Sequence, residues 1–218
     1  MPTATPPRKR VHNPDLKKAL VLESATALFI ERGFDAVSMR DIASHSGVSQ
    51  SLIHHYFGTK EGLWGEVKRA CYDPYLTAQQ ALMDAADVDT RAFVDHSARA
   101  RFHFFQTNPR VIRLLQWLQL MADPLGMETG QDTGPRLLAR IRQAQADGDI
   151  RADIEAENIA AIALALTTYW FQNRHVIQHM ADLSDEDLAA ADQRYLDAVL
   201  KFLSSGLRLP TSETGPTT

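Results

Sequence analysis

VLESATALFIERGFDAVSMRDIASHSGVSQSLIHHYFGTKEGLW, residues 21–64, is the stretch that decides the fold. Val21, Ala25, Leu28 and Phe29 recur at i, i+4, i+7 and i+8, which draws one apolar stripe along a helix. Just upstream, Asn13-Pro14 supplies an N-cap and a first-turn proline, and Asp15 sits near the positive end of the helix dipole. Gly33 stops this first helix. Ser38 and Asp41 have the spacing of a capping box and open a short second helix with Ile42 and Ala43 facing inward. That helix ends at Ser46-Gly47. Ser49 is expected to cap a third helix with Val48, Ile53 and Phe57 inside, and Thr59 a fourth that starts at Lys60. Short helices crossing a tight glycine-containing turn are the layout of a helix-turn-helix unit.

The same stretch resembles the DNA-binding domain of the TetR (tetracycline-repressor-like) family. The resemblance rests on Ala25…Leu28-Phe29…Gly33-Phe34, on Ser38-Met39-Arg40-Asp41-Ile42-Ala43, on Gly47-Val48-Ser49 at the turn, and on His54-His55-Tyr56-Phe57…Lys60-Glu61…Leu63. It runs without a gap. A recognition helix must bury one stripe and present polar or flat side chains on the other, so that its N-terminal half enters a major groove. Here Ile53 and Phe57 bury, which leaves Gln50, Ser51, Leu52, His54 and Tyr56 outside, with Ser49 at the helix start. Gln50 is the candidate for reading adenine through its amide, and Leu52 for touching a thymine methyl. By resemblance, Ser38, Arg40, His54, Tyr56 and Lys60 hold phosphates and fix register. One departure stands out: the family usually carries Tyr where this chain has His54.

Charge is unevenly spread. The chain of 218 residues has a net charge of −4, yet residues 1–60 carry eight Lys/Arg against five Asp/Glu and the remainder fifteen against twenty-two. A modestly basic head on an acidic body docks on phosphate through local contacts, so the overall sign does not exclude nucleic acid. Residues 1–12, rich in Pro and Thr, read as a disordered basic arm. Its Arg8, Lys9 and Arg10 either enter a minor groove or form a solvated tail. The single cysteine, Cys71, allows no disulfide within one chain and suits a reducing cytoplasm. The N-terminus lacks the apolar core of a secretory signal, and no apolar run is long enough to span a membrane.

Residues 13–60 are thus expected to form the helix-turn-helix domain and residues 61–208 a larger helical domain, with 209–218 a loose tail. The fold class is all-α. The fourth helix is expected to break or kink at Asp73-Pro74. Further apolar-periodic stretches cover 90–107, 109–121, 135–146, 155–180 and 185–207, separated by turn residues such as Asn108-Pro109, Gly126 with Gly130, and Asp147-Gly148-Asp149.

The resemblance implies that the helical body holds a small-molecule pocket and forms a homodimer through its last two helices. Those helices offer the stripes Ile159, Ile162, Ala163, Leu166 and Tyr195, Leu196, Val199, Phe202, Leu203, with Ala189-Ala190-Ala191 allowing close approach. A twofold dimer in turn implies a near-palindromic operator. Interleaved aromatic and polar residues, Phe93, His96, Arg99, His103, Phe104, Trp117, Met121, Leu166, Tyr169, Trp170 and Asn173, are the candidates for lining a mostly apolar pocket, or for plain core. Such a lining suits an apolar or amphipathic effector. His175 and His179 stand at i and i+4, but no Glu or Cys completes a metal set, and no cofactor is expected. A helical metal-carboxylate enzyme would want paired Glu-x-x-His motifs, which are missing. A ligand-independent activator or architectural DNA-binding protein remains a rival.

Overall fold

A computed structural model describes residues 13–84, 90–122, 133–184 and 187–208. The basic arm with Arg8, Lys9 and Arg10, the Gly126–Gly130 turn, Asp185 and the C-terminal tail lie outside these residues. All regular structure among the described residues is helical: α1 (Pro14–Arg32), α2 (Met39–Ser46), α3 (Gln50–Phe57), α4 (Lys60–Asp84), α5 (Thr90–Thr107), α6 (Pro109–Leu120), α7 (Thr133–Ala146), α8 (Ala156–Gln172), α9 (Arg174–Met180) and α10 (Leu188–Gly206). The chain divides into two compact units, one ending at Arg69 and one beginning at Ala70. None of the described helices is long and apolar enough to cross a membrane.

The local signals of the first unit act as their chemistry dictates. The Asn13 side chain accepts from the backbone N–H groups of Asp15 and Leu16, with Pro14 in the first turn and Gly33 capping the far end of α1. Ser38 and Asp41 form a reciprocal capping box. Val21, Ala25, Phe29, Ile42, Ile53 and Leu63 are fully or almost fully buried. At one end of this core, Phe29, Phe34 and Trp64 close an aromatic triangle with centroid separations of 5.2–5.6 Å.

In the second unit α8 is the central helix, packed on α5, α6, α7, α9 and α10. Its sequence, AENIAAIALALTTYWFQ, carries a single charge, Glu157. A helix apolar almost all round is expected to be covered on every side. Here Ile159, Ala160, Thr167 and Trp170 are buried, whereas Ile162, Leu164 and Tyr169 are 44%, 37% and 57% exposed. Among the described residues, one apolar face of α8 therefore lacks a cover.

Asp192 on α10 is the polar hub of this unit. Its carboxylate is 1% exposed and accepts from Trp170 Nε1 at 2.7 Å, Gln106 Nε2 at 3.0 Å and Arg174 Nη2 at 2.7 Å. Four helices, α5, α8, α9 and α10, are thereby tied to one side chain. Trp170 also stacks on Tyr195 at 4.4 Å, whose hydroxyl donates to the Leu166 carbonyl at 2.8 Å.

Four expectations change. Of the break or kink expected at Asp73-Pro74, the break does not occur, and α4 runs through Pro74. An interior proline costs a helix about 3 kcal/mol through its missing donor; here Tyr75 and Leu76 are buried and the Tyr75 ring lies 5.2 Å from Phe104 and 6.3 Å from Phe105, so tertiary packing holds the helix. Ser49 has the extended backbone of an N-cap but makes no side-chain cap bond, because its hydroxyl lies 3.3 Å from that of Ser51 instead. The single helix expected over 155–180 is two, divided at Asn173, whose side chain donates to the Tyr169 carbonyl at 3.1 Å. The apolar stripes of the last two helices also divide: Ile159, Leu196, Val199 and Leu203 fill the chain's own core, while Ile162 and the 67% exposed Phe202 face outward.

Asp192→Ala should cost about 3 kcal/mol, because it strands the Trp170 indole and the Arg174 guanidinium beside a void. Asp192→Asn, which keeps an acceptor for the indole, should cost less. Urea unfolding followed by circular dichroism measures both.

Candidate nucleic-acid interface

α2 and α3 are joined by Gly47-Val48-Ser49. Gly47 has φ +68° and ψ +15°, a left-handed conformation that strains any residue with a Cβ. This turn throws α3 across α2, and Val48, Ile53 and Phe57 anchor it from beneath. On the opposite side Ser49, Gln50, Ser51, His54 and His55 are exposed, with Leu52 and Tyr56 half-buried. α3 holds no acidic residue, so nothing on its outer face repels phosphate. The arrangement meets the geometric demand of a helix that enters a major groove: apolar below, short polar and flat groups above.

The candidate contact residues differ in their surroundings. His54 Nδ1 lies 2.7 Å from the Gly58 carbonyl. A carbonyl only accepts, so Nδ1 carries the proton, and in the neutral ring Nε2 is left as an acceptor facing the Gln50 amide nitrogen at 3.5 Å. His54 thus ties the end of α3 to the candidate base-reading side chain one turn earlier, a role that sequence reading had left to the phosphates. Ser38 is committed locally: its hydroxyl donates to Asp41 Oδ2 at 2.5 Å and accepts from the Asp41 N–H at 3.2 Å. The Ser38 hydroxyl and N–H hold the Asp41 carboxyl below its ordinary range. Arg40 is exposed beside this box. The Lys60 ammonium sits 4.2 Å above the Phe34 ring, at the start of α4, where the Thr59 hydroxyl accepts from the Gly62 N–H at 3.1 Å.

Two residues of this unit were passed over in the sequence. Lys18 brings its ammonium to within 5.7 Å of the Phe57 ring at the far end of α3. Gly62 permits a close approach: a Cβ there would lie 2.4 Å from the Phe57 backbone oxygen. Its only sequence signal was a glycine in a helical pattern, which reads as a mild defect until the neighbouring backbone is known.

The candidates in the second unit are scattered. His96, Arg99, His103 and Tyr169 are exposed, and Phe104, Trp117, Met121, Leu166 and Asn173 are half-buried. Trp170 is buried, with its indole N–H committed to Asp192. Phe93 is buried and lines a narrow cavity among α4, α5, α7 and α8. His175 and His179 are both exposed, and among the described residues no three potential metal ligands cluster.

Comparison with known proteins bears on the same two regions. A family model described as "Bacterial regulatory proteins, tetR family" matches residues 21–67, and one described as "Tetracyclin repressor-like, C-terminal domain" matches residues 93–199. The chain belongs to the TetR family. It carries that family's helix-turn-helix DNA-binding unit followed by its helical C-terminal domain. An HTH-type transcriptional repressor of Mycobacterium tuberculosis is 45% identical over 64 residues, 29% of this chain and 34% of that protein. The HTH-type transcriptional activator FasR of Mycolicibacterium smegmatis is 25% identical over 167 residues, 73% of this chain and 74% of that one. The chain spans about a third of the length of the first of these relatives. Among solved structures, a TetR family transcription regulator from Marinobacter aquaeolei superposes with a TM-score of 0.68 at 16% identity, covering 88% of this chain and 96% of the other.

Gln50→Ala should cost about 1–3 kcal/mol on the preferred site and relax its sequence preference. Arg40→Ala should weaken binding evenly across sequences and lower the salt slope by about one ion. Fluorescence anisotropy at several salt concentrations separates the two. Gly62→Ala should destabilise the first unit by about 1–3 kcal/mol through overpacking, read from its one tryptophan, Trp64.

Proposed function

We propose that this chain is a homodimeric repressor that sits on a near-palindromic operator and leaves it when a small apolar or amphipathic effector enters the helical body. The observation that carries the DNA half of this reading is the two-sided character of α3, buried on Ile53 and Phe57 and free of acids outside. In this reading Gln50, Ser51 and Leu52 meet base edges, and Ser49, Arg40, His54, Tyr56 and Lys60 meet phosphates. Lys18 joins them, and Ser38 acts mainly by fixing the start of α2. The basic arm, Arg8-Lys9-Arg10, adds minor-groove contacts, and the whole operates on DNA in the cytoplasm.

Dimerisation is supported by the uncovered face of α8. Ile162 and Tyr169, with Phe202 on α10, are large apolar side chains left outside, and a self-complementary patch of this kind suits a twofold contact. Release requires the effector to bind the DNA-incompetent form more tightly, because only a differential affinity moves the equilibrium. α4 begins at Lys60, beside the reading helix, and supplies Gln79 to the cavity of the second unit, so it is the element through which the two events would be coupled.

A second reading, activation, is favoured by the likeness to FasR, which extends over most of this chain. Deleting the gene separates the two: repression predicts that transcripts from the bound promoter rise, activation that they fall. The binding test is a salt titration against the gene's upstream DNA and a scrambled duplex of equal length. Selective binding with two chains per site supports the proposal; equal, weak binding to both overturns it. Phe202→Asp should shift the protein to monomer in sedimentation velocity and lower operator affinity at least tenfold, while a variant that remains a dimer removes Phe202 from the interface.

A further inference from the structure

The cavity among α4, α5, α7 and α8 has a polar wall made by Gln79, Ser97 and Arg101, and an otherwise apolar lining that includes Phe93, Ile141 and Ile159. Gln79 is 4% exposed. Its carbonyl oxygen accepts from the Ser97 hydroxyl at 3.2 Å, but its amide nitrogen, buried, has no partner. One turn away on the same face of α4, Tyr75 is also 4% exposed and its hydroxyl is likewise unpartnered. One turn from Ser97 on α5, Arg101 lays its guanidinium 5.1 Å from the Tyr75 ring centroid. Among the described residues, no carboxylate pairs with it.

These are donors in search of an acceptor. A buried amide N–H left unsatisfied costs about 1–3 kcal/mol, and burial pushes the Tyr75 phenol up, so its hydroxyl keeps its proton. The Arg101 guanidinium over the Tyr75 ring carries the paired N–H donors that suit a planar, bidentate acceptor. The cavity, about 40 Å³, has room for a few waters. Water could satisfy Gln79 but brings no opposite charge to the half-buried Arg101 beside an apolar lining.

We propose that this cavity is a subsite for the carboxylate of an amphipathic monocarboxylic acid, held by Arg101 and Gln79 with its apolar body along α5, α7 and α8. The inference rests on the effector reading above and names the effector's chemical class. The cavity is smaller than any such acid, so binding must part its walls, and the liganded form differs from the one seen here. That difference is what a released state requires.

The test uses the full-length protein and matched probes, octanoate and 1-octanol, with affinity measured by calorimetry. Octanoate should bind more tightly than octanol, and Arg101→Gln should weaken octanoate about tenfold while leaving octanol unchanged, a loss of about 1.4 kcal/mol. Gln79→Met, which removes an unsatisfied donor at similar volume, should leave the melting temperature intact or raised and weaken octanoate severalfold; it serves as the second variant should Arg101→Gln fold poorly. No octanoate binding at millimolar concentration, or binding indifferent to both variants, overturns the proposal. Operator binding measured in parallel keeps the two readings apart. If octanol but not octanoate lifts the protein from DNA, the carboxylate site is wrong and ligand release stands. If octanoate binds through Arg101 with operator affinity unmoved, the site stands and ligand release falls.

Discussion

An eight-residue helix is not stable alone in water, since its few hydrogen bonds do not offset the cost of nucleating it. α3 exists because Ile53 and Phe57 are buried beneath it. Every functional demand on the first unit follows from that constraint. With the inner stripe committed to packing, only the outer positions are free to meet DNA, and their directions are set by the same burial that makes the helix form. The capping box of α2, the left-handed Gly47 and the aromatic triangle around Trp64 all serve to present a floor on which so short a helix can stand.

The second unit solves the opposite problem. It has long helices and ample apolar surface, and what it needs is a unique arrangement among similar ones. Asp192 supplies a point of specificity, because one carboxylate must satisfy an indole, an amide and a guanidinium from three other helices, and few packings do so at once. Burying that charge adds little net stability by itself. Its effect is to make alternative registers of α10 expensive.

Much of the first unit was legible because its signals are local. Asn13-Pro14, Ser38 with Asp41, Gly47 and Thr59 act within a turn of themselves, and the stripe of Val21, Ala25, Leu28 and Phe29 needs no knowledge of its partner. Ser49 misled because its backbone conformation fits a cap while its hydroxyl turns to Ser51, a choice between two neighbours that spacing alone does not decide. Pro74 gave no break because its local cost was outweighed by Tyr75 and Leu76 packing at a distance. The body was harder for the same reason. Asp192 lies on the apolar stripe of α10 four residues before Leu196, and an acid in such a place was a visible clue, but its partners are contributed by residues 18 to 86 positions away. Aromatic residues at helical spacing drew attention to Trp170 and Phe104, whereas Gln79, Ser97 and Arg101 show their relation only once side chains of α4 and α5 meet.

Gly62 carries a consequence of a mechanical kind. Where two helices meet through side chains, rotamer changes absorb small displacements, as slack does in a linkage. Here the first turn of α4 meets the last carbonyl of α3 with no side chain between them. A shift of α4 toward that carbonyl has no soft material to compress, so it is passed on to α3 without backlash, and the missing methyl group at one position sets the stiffness of that contact.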